Sequence, residues 1–115
     1  MSRHRSSLTL ARPKSSARLF AALGDETRLR LVGRLCDDGP MSITGLAGGF
    51  NVTRQAISKH LRLMESVGLV CSARLGRQSI WRLSPQRLAE ARHYLQLITN
   101  QCDGALQRLR KFVED

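Results

Sequence analysis

The segment Met41–Val70, MSITGLAGGFNVTRQAISKHLRLMESVGLV, carries the pattern that decides the fold. In its second half, Ile57, Leu61 and Met64 follow the i, i+4, i+7 spacing of a single helical face. Thr53 precedes these residues, and its hydroxyl can accept a hydrogen bond from a free N–H of the first helical turn. The pattern predicts a helix that begins after Thr53 and buries one apolar face.

The opposite face of this helix carries hydrogen-bond donors and no acidic side chain. Gln and Ser side chains can contact base edges, whereas Arg and Lys side chains can contact bases or phosphates. We therefore take this face as a candidate DNA-binding surface. Its candidate residues are Thr53, Arg54, Gln55, Ser58, Lys59 and Arg62.

The first half of the segment fits a short positioning helix. Ser42 suits its N-cap, and Asn51 lies in the following turn, where asparagine tolerates a left-handed conformation. Three glycines between positions 45 and 49 weaken this helix, because each costs about 1 kcal/mol relative to alanine. Together the two halves indicate a helix-turn-helix. On this pattern alone, two ordinary amphipathic helices joined by a short turn remain an equal alternative.

The composition indicates a polyanionic partner. The chain has 115 residues, enough for one domain, and a net charge of +10 from 19 Lys and Arg against 9 Asp and Glu. An acidic membrane surface is the alternative polyanion. Aromatic residues make up only 4% of the chain, which argues against single-stranded nucleic acid, whose bases stack on aromatic side chains.

The sequence predicts a cytoplasmic protein. No apolar stretch approaches the length of a membrane span, and no apolar segment follows the basic N-terminus as in a secretory signal. The cysteines are odd in number and widely spaced, so they do not form a disulfide framework and fit a reducing compartment. They are Cys36, Cys71 and Cys102.

Residues 1–14 are predicted to form a basic, disordered N-terminal arm, and residues 15–115 the folded domain. The arm carries four basic residues and no acid. It either adds phosphate or minor-groove contacts, or is a solvated tail that adds only nonspecific affinity, which we favour.

Two helices are predicted before the helix-turn-helix. The first runs from about residue 15 to Leu23 and ends at Gly24. Asp25 then caps the second, which stops near Cys36.

A β-hairpin is predicted directly after the helix-turn-helix. Its strands are Leu69–Leu75 and Gln78–Leu83, joined by a turn at Gly76 and Arg77. A wing of this kind can lie along a phosphate backbone or enter the minor groove; the alternative is an edge hairpin kept soluble by arginine. The candidate DNA-binding residues near its tip are Arg74, Arg77 and Gln78.

A long last helix is predicted over about residues 85–114, with Ser84 as its cap and Gly104 as a possible break. Its apolar side chains keep helical spacing from Leu88 to Val113, more than a small domain can bury. We therefore expect part of it to pack on the last or first helix of a second subunit. The predicted fold is mainly helical (α+β), a winged helix-turn-helix with element order α-α-α-α-β-β-α.

The chain resembles the ArsR/SmtB-type winged helix-turn-helix repressors over roughly residues 17–115. The resemblance implies a homodimer through the first and last helices that binds a palindromic operator on double-stranded DNA and represses transcription. The matching stretches are Ala22–Leu31, Ser58–Leu61, Gly68–Val70, Gly76–Arg77 and Trp81–Leu83.

The sequence departs from this family at the metal sites that the resemblance implies. Ser42–Ala47 has no Cys, His or acid where the best-known sensor has Cys-x-Cys, and the last helix offers only His93 with Glu90. We therefore expect no metal and no cofactor, and leave a small-molecule or redox effector unidentified. Some members sense oxidants or persulfides through two cysteines, which makes Cys36 and Cys102 an alternative sensor.

No motif predicts an enzyme, because the sequence lacks a phosphate-binding glycine loop, paired carboxylates in an apolar setting and a nucleophile–histidine–acid arrangement. His60, in the candidate recognition helix, is expected to be structural or to contact phosphate. The rival from another class is a winged protein-interaction module that has lost DNA binding.

Overall fold

The computed structural model describes residues 13–49 and 51–114, which form five helices and a three-stranded antiparallel sheet. This is the predicted winged helix-turn-helix, mainly helical with a hairpin behind its fourth helix. The elements are α1 (Pro13–Leu23), α2 (Glu26–Asp38), β1 (Met41–Ser42), α3 (Ile43–Ala47), α4 (Arg54–Ser66), β2 (Val70–Leu75), β3 (Gln78–Leu83) and α5 (Pro85–Glu114).

Helix α1 begins two residues before its predicted start, so Pro13 and Lys14 belong to it. The rest of the predicted N-terminal arm lies outside the described residues. None of the helices in the described part of the chain is long and apolar enough to cross a membrane.

Side-chain caps fix the starts of the helices around the helix-turn-helix, as predicted. Each capping oxygen accepts the backbone N–H three residues later, which satisfies one of the free donors of the first turn. The caps are Asp25 on α2 (3.0 Å), Ser42 on α3 (3.2 Å) and Thr53 on α4 (3.1 Å).

The turn between α3 and α4 differs from the prediction at one residue. Gly49, with φ of 89°, takes the left-handed conformation that we assigned to Asn51, and no described residue other than glycine has a positive φ. That assignment was wrong because a glycine in the same turn adopts this conformation without the steric cost of a Cβ atom.

The hairpin pairs β2 with β3 from Val70 opposite Leu83 to Leu75 opposite Gln78. The short strand β1, which the sequence did not predict, pairs with the other edge of β3, with Met41 opposite Trp81. The sheet order is therefore β1-β3-β2. Two residues are too few to show a strand's alternation in sequence, so β1 depends on the edge that β3 provides.

One hydrophobic core joins the helices to the base of the wing. Its fully buried large side chains come from α1, α2, α3, α4 and the start of the hairpin, and Trp81 and Ala91 complete it from β3 and α5. The largest members are Leu19, Leu31, Leu46, Ile57, Leu61, Met64, Leu69 and Val70.

Helix α5 is one continuous helix of 30 residues. Gly104, which we predicted as a possible break, lies inside it. The first half packs on α1, where the rings of Phe20 and Tyr94 lie 5.9 Å apart. From residue 98 onward every described side chain is exposed, apart from the half-buried Gly104.

Candidate nucleic-acid interface

Helix α4 is held in place by its apolar face. Ile57, Leu61 and Met64 are completely buried in the core. Because these three residues lie on one side of the helix, the residues on the opposite side must face solvent. The core thus determines which face of α4 is presented outward.

The outward face of α4 carries the candidate residues predicted from sequence. Thr53, Arg54, Gln55, Lys59 and Arg62 are exposed, and Ser58 is half-buried. Thr53 accepts the N–H of Ala56 through its hydroxyl oxygen, which leaves its hydroxyl proton available to a ligand. The structure therefore brings all six residues to one surface.

The wing provides a second group of exposed donors. Arg74, Arg77 and Gln78 are exposed, and Gly76 begins the two-residue turn between them with φ of 64°. At the base of the wing, the hydroxyl of Ser72 donates to the Glu65 carboxylate at 3.4 Å. This contact joins β2 to the last turn of α4, so wing and helix form one unit.

The cationic side chains on the outward face of α4 and at the wing tip have no partner within the part of the chain that the structure describes. None of the five cationic side chains takes part in a hydrogen bond or an ion pair there. Residues 51–83 contain six Lys and Arg and a single acid, Glu65. Such a surface, basic and with free donors, suits a phosphate backbone and base edges. The five cations are Arg54, Lys59, Arg62, Arg74 and Arg77.

Comparison with known proteins identifies the domain that carries this surface. A family model described as "Helix-turn-helix domain" matches residues 23–71. The HTH-type transcriptional regulator Rv2034 of Mycobacterium tuberculosis is 37% identical over 79 residues, which cover 69% of this chain and 73% of that protein. The arsenical resistance operon repressor of Escherichia coli is 36% identical over 67 residues, 58% of this chain and 57% of that protein.

Among solved structures, an ArsR-like transcriptional regulator from Rhodococcus sp. RHA1 superposes with a TM-score of 0.76 at 33% identity, covering 86% of this chain and 92% of that one. The chain belongs to the ArsR family of winged helix-turn-helix transcriptional regulators. It is a DNA-binding regulator of transcription and not an enzyme, as the sequence predicted.

In this ArsR-family regulator, three other arginines stabilise the helix-turn-helix through hydrogen bonds within the fold. They are Arg28, Arg34 and Arg87. Arg34 of α2 donates to the carbonyl oxygens of Gly48 at 2.6 Å and Gly45 at 3.1 Å, and also pairs with Asp38. These carbonyls lie in α3 and the turn after it. The contact fixes the glycine-rich part of the helix-turn-helix that has little helical stability of its own.

Arg28 makes a similar contact at the middle of α4, and Arg87 makes one at its C-terminal end. Arg28 donates to the last carbonyls of α1 and lies against His60, whereas Arg87 donates to the carbonyl of Val67, just after α4. The sequence did not predict the roles of these arginines, because most of their partners are backbone carbonyl oxygens. Every residue has such an oxygen, so the residue types do not indicate which one is bound. The one available signal was the position of Arg28 three residues after the cap Asp25.

The pKa of the Asp25 carboxyl lies below its usual value, mainly because the carboxylate accepts the backbone N–H of Arg28. The nearby charge of Arg28 also lowers this pKa, and desolvation opposes it. His60 lies 3.2 Å from the Arg28 guanidinium. His60 therefore has a structural contact between α2 and α4. A structural role was one of the two expected for it, the other being a phosphate contact.

The described residues contain no metal-binding cluster, and the three cysteines in them form no disulfide. Within residues 13–49 and 51–114, no three His, Cys, Asp or Glu side chains lie together as a metal site requires. Cys36 and Cys102 are exposed, and Cys71 is half-buried. All three are free thiols.

Proposed function

We propose that this ArsR-family regulator is a homodimeric, sequence-specific repressor that binds a palindromic operator on double-stranded DNA. The observation that carries the proposal is the exposed row of cationic and polar side chains on α4 beside a basic wing, where no cationic side chain has a partner among the described residues. Arg28, Arg34 and Arg87 donate hydrogen bonds within the fold, whereas the arginines on the outward face of α4 and at the wing tip donate none to the described residues. Free guanidinium groups held on a rigid helix are suited to base edges and phosphates.

In the proposed complex, α4 lies in the major groove. Arg54, Gln55 and Ser58, in its first turns, contact base edges. Lys59 and Arg62, further along, contact bases or phosphates. The wing tip lies on the backbone or in the minor groove, where its arginines add phosphate contacts.

The long last helix supports the dimer. Leu106, Leu109 and Phe112 share one face of α5 and are 61%, 59% and 81% exposed, although the described residues provide nothing to cover them. A row of large apolar side chains of this kind indicates an interaction surface. We assign α5, together with α1, as the surface between two copies, so that two recognition helices reach successive major grooves about 34–36 Å apart.

We propose repression of transcription rather than activation, because the Escherichia coli relative is an operon repressor. We propose that this chain acts without the usual metal site, because Ser42–Ala47 offers no ligand side chains of the Cys, His or acidic type. Action on DNA places the protein in the cytoplasm.

A cysteine-dependent repressor is the second candidate, favoured by the exposure of both Cys36 and Cys102. A sensing thiol must be accessible to its oxidant, and these two are. If oxidant or persulfide treatment leaves operator affinity unchanged, and Cys36→Ser and Cys102→Ser do so as well, this candidate is eliminated.

The test of the main proposal is selection of bound duplexes from a random DNA pool, followed by titration of salt and by gel filtration. We expect an enriched palindrome, an affinity that falls steeply with salt, and elution as a dimer. A monomer that enriches no sequence and shows no salt-dependent DNA binding would instead favour the protein-interaction module.

A further inference from the structure

A single side chain, Arg28, connects the end of α1 with the recognition helix α4. Its Nε donates to the carbonyl of Ala22 at 2.6 Å and its Nη2 to the carbonyl of Ala21 at 3.4 Å. Its Nη1 lies 3.2 Å from Nδ1 of His60. Carbonyls in the last turn of a helix lack intrahelical donors. Arg28 thus caps α1 with one edge of its guanidinium and contacts α4 with the other.

The contact between His60 and Arg28 depends on the orientation of α4. It is half-buried, follows the exposed Lys59 and precedes the buried Leu61, so it lies between the outward face and the core face. Any rotation or slide of α4 relative to α1 would therefore change the contact between Nδ1 and the guanidinium. For Arg28 to donate to Nδ1, the imidazole must be neutral with its proton on Nε2.

The backbone of Arg28 is anchored near the start of α2. The Asp25 carboxylate accepts the backbone N–H of Arg28 at 3.0 Å, and this bond, together with the nearby charge of Arg28, lowers the pKa of the carboxyl. Asp25 holds the Arg28 backbone and the Arg28 guanidinium contacts His60, so the three residues are linked at the junction of α1, α2 and α4. The position of the guanidinium depends on all three helices at once.

We propose that Arg28 is a positioning residue that couples the packing of α1 to the orientation of α4, acting through His60, and so controls operator selectivity. The inference rests on the proposed function, in which α1 lies in the surface between subunits and α4 reads DNA. A change at the dimer surface that moves the end of α1 would move the carbonyls that hold Arg28. The guanidinium would then carry that change to the reading helix.

The planar guanidinium is required for this role because its donors point in several fixed directions. A lysine ammonium has no such fork, so it can cap α1 or contact His60 but cannot hold both. An apolar side chain of similar length makes neither contact. Arg28→Lys keeps the positive charge but loses the guanidinium geometry, whereas Arg28→Met loses both. Comparing the two variants therefore distinguishes the effect of the charge from that of the geometry.

The test uses the full chain, the palindromic duplex recovered by selection with the wild-type protein, and a scrambled duplex of equal length. We expect Arg28→Met, Arg28→Lys and His60→Ala each to weaken binding to the selected duplex by about 3- to 30-fold, the range typical of coupled residues. Binding to the scrambled duplex should change by less than about threefold, since phosphate contacts are untouched. The dimer dissociation constant should stay unchanged.

A double-mutant cycle tests the coupling itself. Arg28→Met combined with His60→Ala should bind the selected duplex no more weakly than Arg28→Met alone. His60→Asn should restore most of the affinity lost in His60→Ala, because the Asn amide oxygen can accept a hydrogen bond from a position close to Nδ1. Arg30→Met is the matched control, since Arg30 lies on the same helix and pairs only with Glu26 in the described residues.

Three results would overturn the proposal: equal losses on the selected and scrambled duplexes, losses that multiply in the double variant, or wild-type affinity for His60→Ala. If Arg28→Met does not fold, His60→Ala decides alone, because it leaves the cap on α1 intact. Wild-type protein that selects no sequence would refute the proposed function and the coupling together. A selective wild-type protein with an equally selective Arg28→Met would refute the coupling only.

Discussion

Arg87, in the first turn of α5, donates through Nη2 to the hydroxyl of Ser15 at 3.0 Å, a residue 72 positions earlier in α1. The same guanidinium donates to the carbonyl of Val67 at 2.8 Å and to the Glu90 carboxylate at 2.7 Å. One half-buried side chain thus holds together the first helix, the last helix and the end of the recognition helix. The first and last helices of the domain therefore meet beside the C-terminal end of α4.

Replacing Arg87 should destabilise the whole domain. Arg87→Ala leaves the carbonyl of Val67 and the Ser15 hydroxyl without their donor, and hydrogen bonds from a charged group contribute about 1.5–3 kcal/mol. We expect the free energy of unfolding in urea to fall by about that amount. Arg92→Ala, which removes an exposed arginine of the same helix, should change it by less than about 0.5 kcal/mol. Equal effects of the two variants would show that the Arg87 contacts do not stabilise the fold.

The two adjacent glycines after α3 should respond to alanine in opposite directions. Gly48 has φ of −64°, and a Cβ there would meet only the carbonyl oxygen of Gly45 at 3.6 Å. Gly48→Ala should therefore stabilise the protein by about 0.4–1 kcal/mol through the entropy of the unfolded chain. Gly49 has φ of +89°, where a Cβ atom is strained, so Gly49→Ala should destabilise it by about 1–2 kcal/mol. Urea unfolding of both variants checks the signs, and equal signs would contradict the assigned turn geometry.

Several elements could be predicted because each depends on residues that are close together in the sequence. Asp25, Ser42 and Thr53 all cap the helices that they were expected to cap, and the strand Gln78–Leu83 has its predicted bounds. Caps, turns and apolar periodicity each depend on a few neighbouring residues. The row of donors on α4 followed from the same periodicity.

The features that escaped prediction depend on residues distant in sequence or on backbone atoms. Strand β1 exists through pairing with Trp81 and Ile80, about 40 positions later. The partners of Arg28 and Arg34 are mainly carbonyl oxygens of other helices. Gly104 does not interrupt α5, because a single glycine costs about 1 kcal/mol, which the helical residues on both sides outweigh.

Stability should depend on acid pH through Asp25. Its pKa in the folded protein is lower than the ordinary 3.8, so the folded state favours the carboxylate. The resulting stabilisation is fully present above about pH 5 and is lost as the pH falls through the lowered pKa. Asn remains a good N-cap, so Asp25→Asn removes mainly the charge.

We expect Asp25→Asn to be less stable than wild type at pH 7 and equally stable once the pH is well below the lowered pKa, where the wild-type carboxyl has gained its proton. Urea unfolding at a series of pH values and fixed ionic strength measures the difference. Glu26→Gln is the control, since the Glu26 carboxylate lies next in sequence and is exposed. A stability difference for Asp25→Asn that does not change with pH would mean that the carboxylate charge contributes nothing.

The exposed apolar face of α5 should be required for dimerisation. Each leucine removed from an apolar interface costs about 1.5–3 kcal/mol, so Leu106→Gln with Leu109→Gln should raise the dimer dissociation constant more than about 100-fold. Glutamine is a good helix former, so the helix itself is retained. Gln107→Ala, on the opposite face, should leave the constant unchanged. Sedimentation equilibrium measures both, and an undiminished dimer in the double variant would place the subunit contact elsewhere.

The last prediction distinguishes side chains that contact DNA bases from side chains that contact the phosphate backbone of DNA. Arg54→Ala or Gln55→Ala removes a side chain that we propose contacts base edges, and a good bidentate base contact is worth about 1–3 kcal/mol. These variants should bind the selected duplex about 5- to 150-fold more weakly, with a relaxed preference at the base pairs that they contact. Their affinity for random DNA should change much less.

Arg77→Ala should behave differently, because we place Arg77 at the tip of the wing on phosphates. It should weaken all sequences alike and reduce the slope of log K against log salt by about one, as expected for the loss of one phosphate contact. Salt titrations on the selected and random duplexes measure both quantities. If Arg77→Ala changed the preferred sequence while leaving the salt slope intact, the wing would read bases and its assignment to the backbone would be wrong.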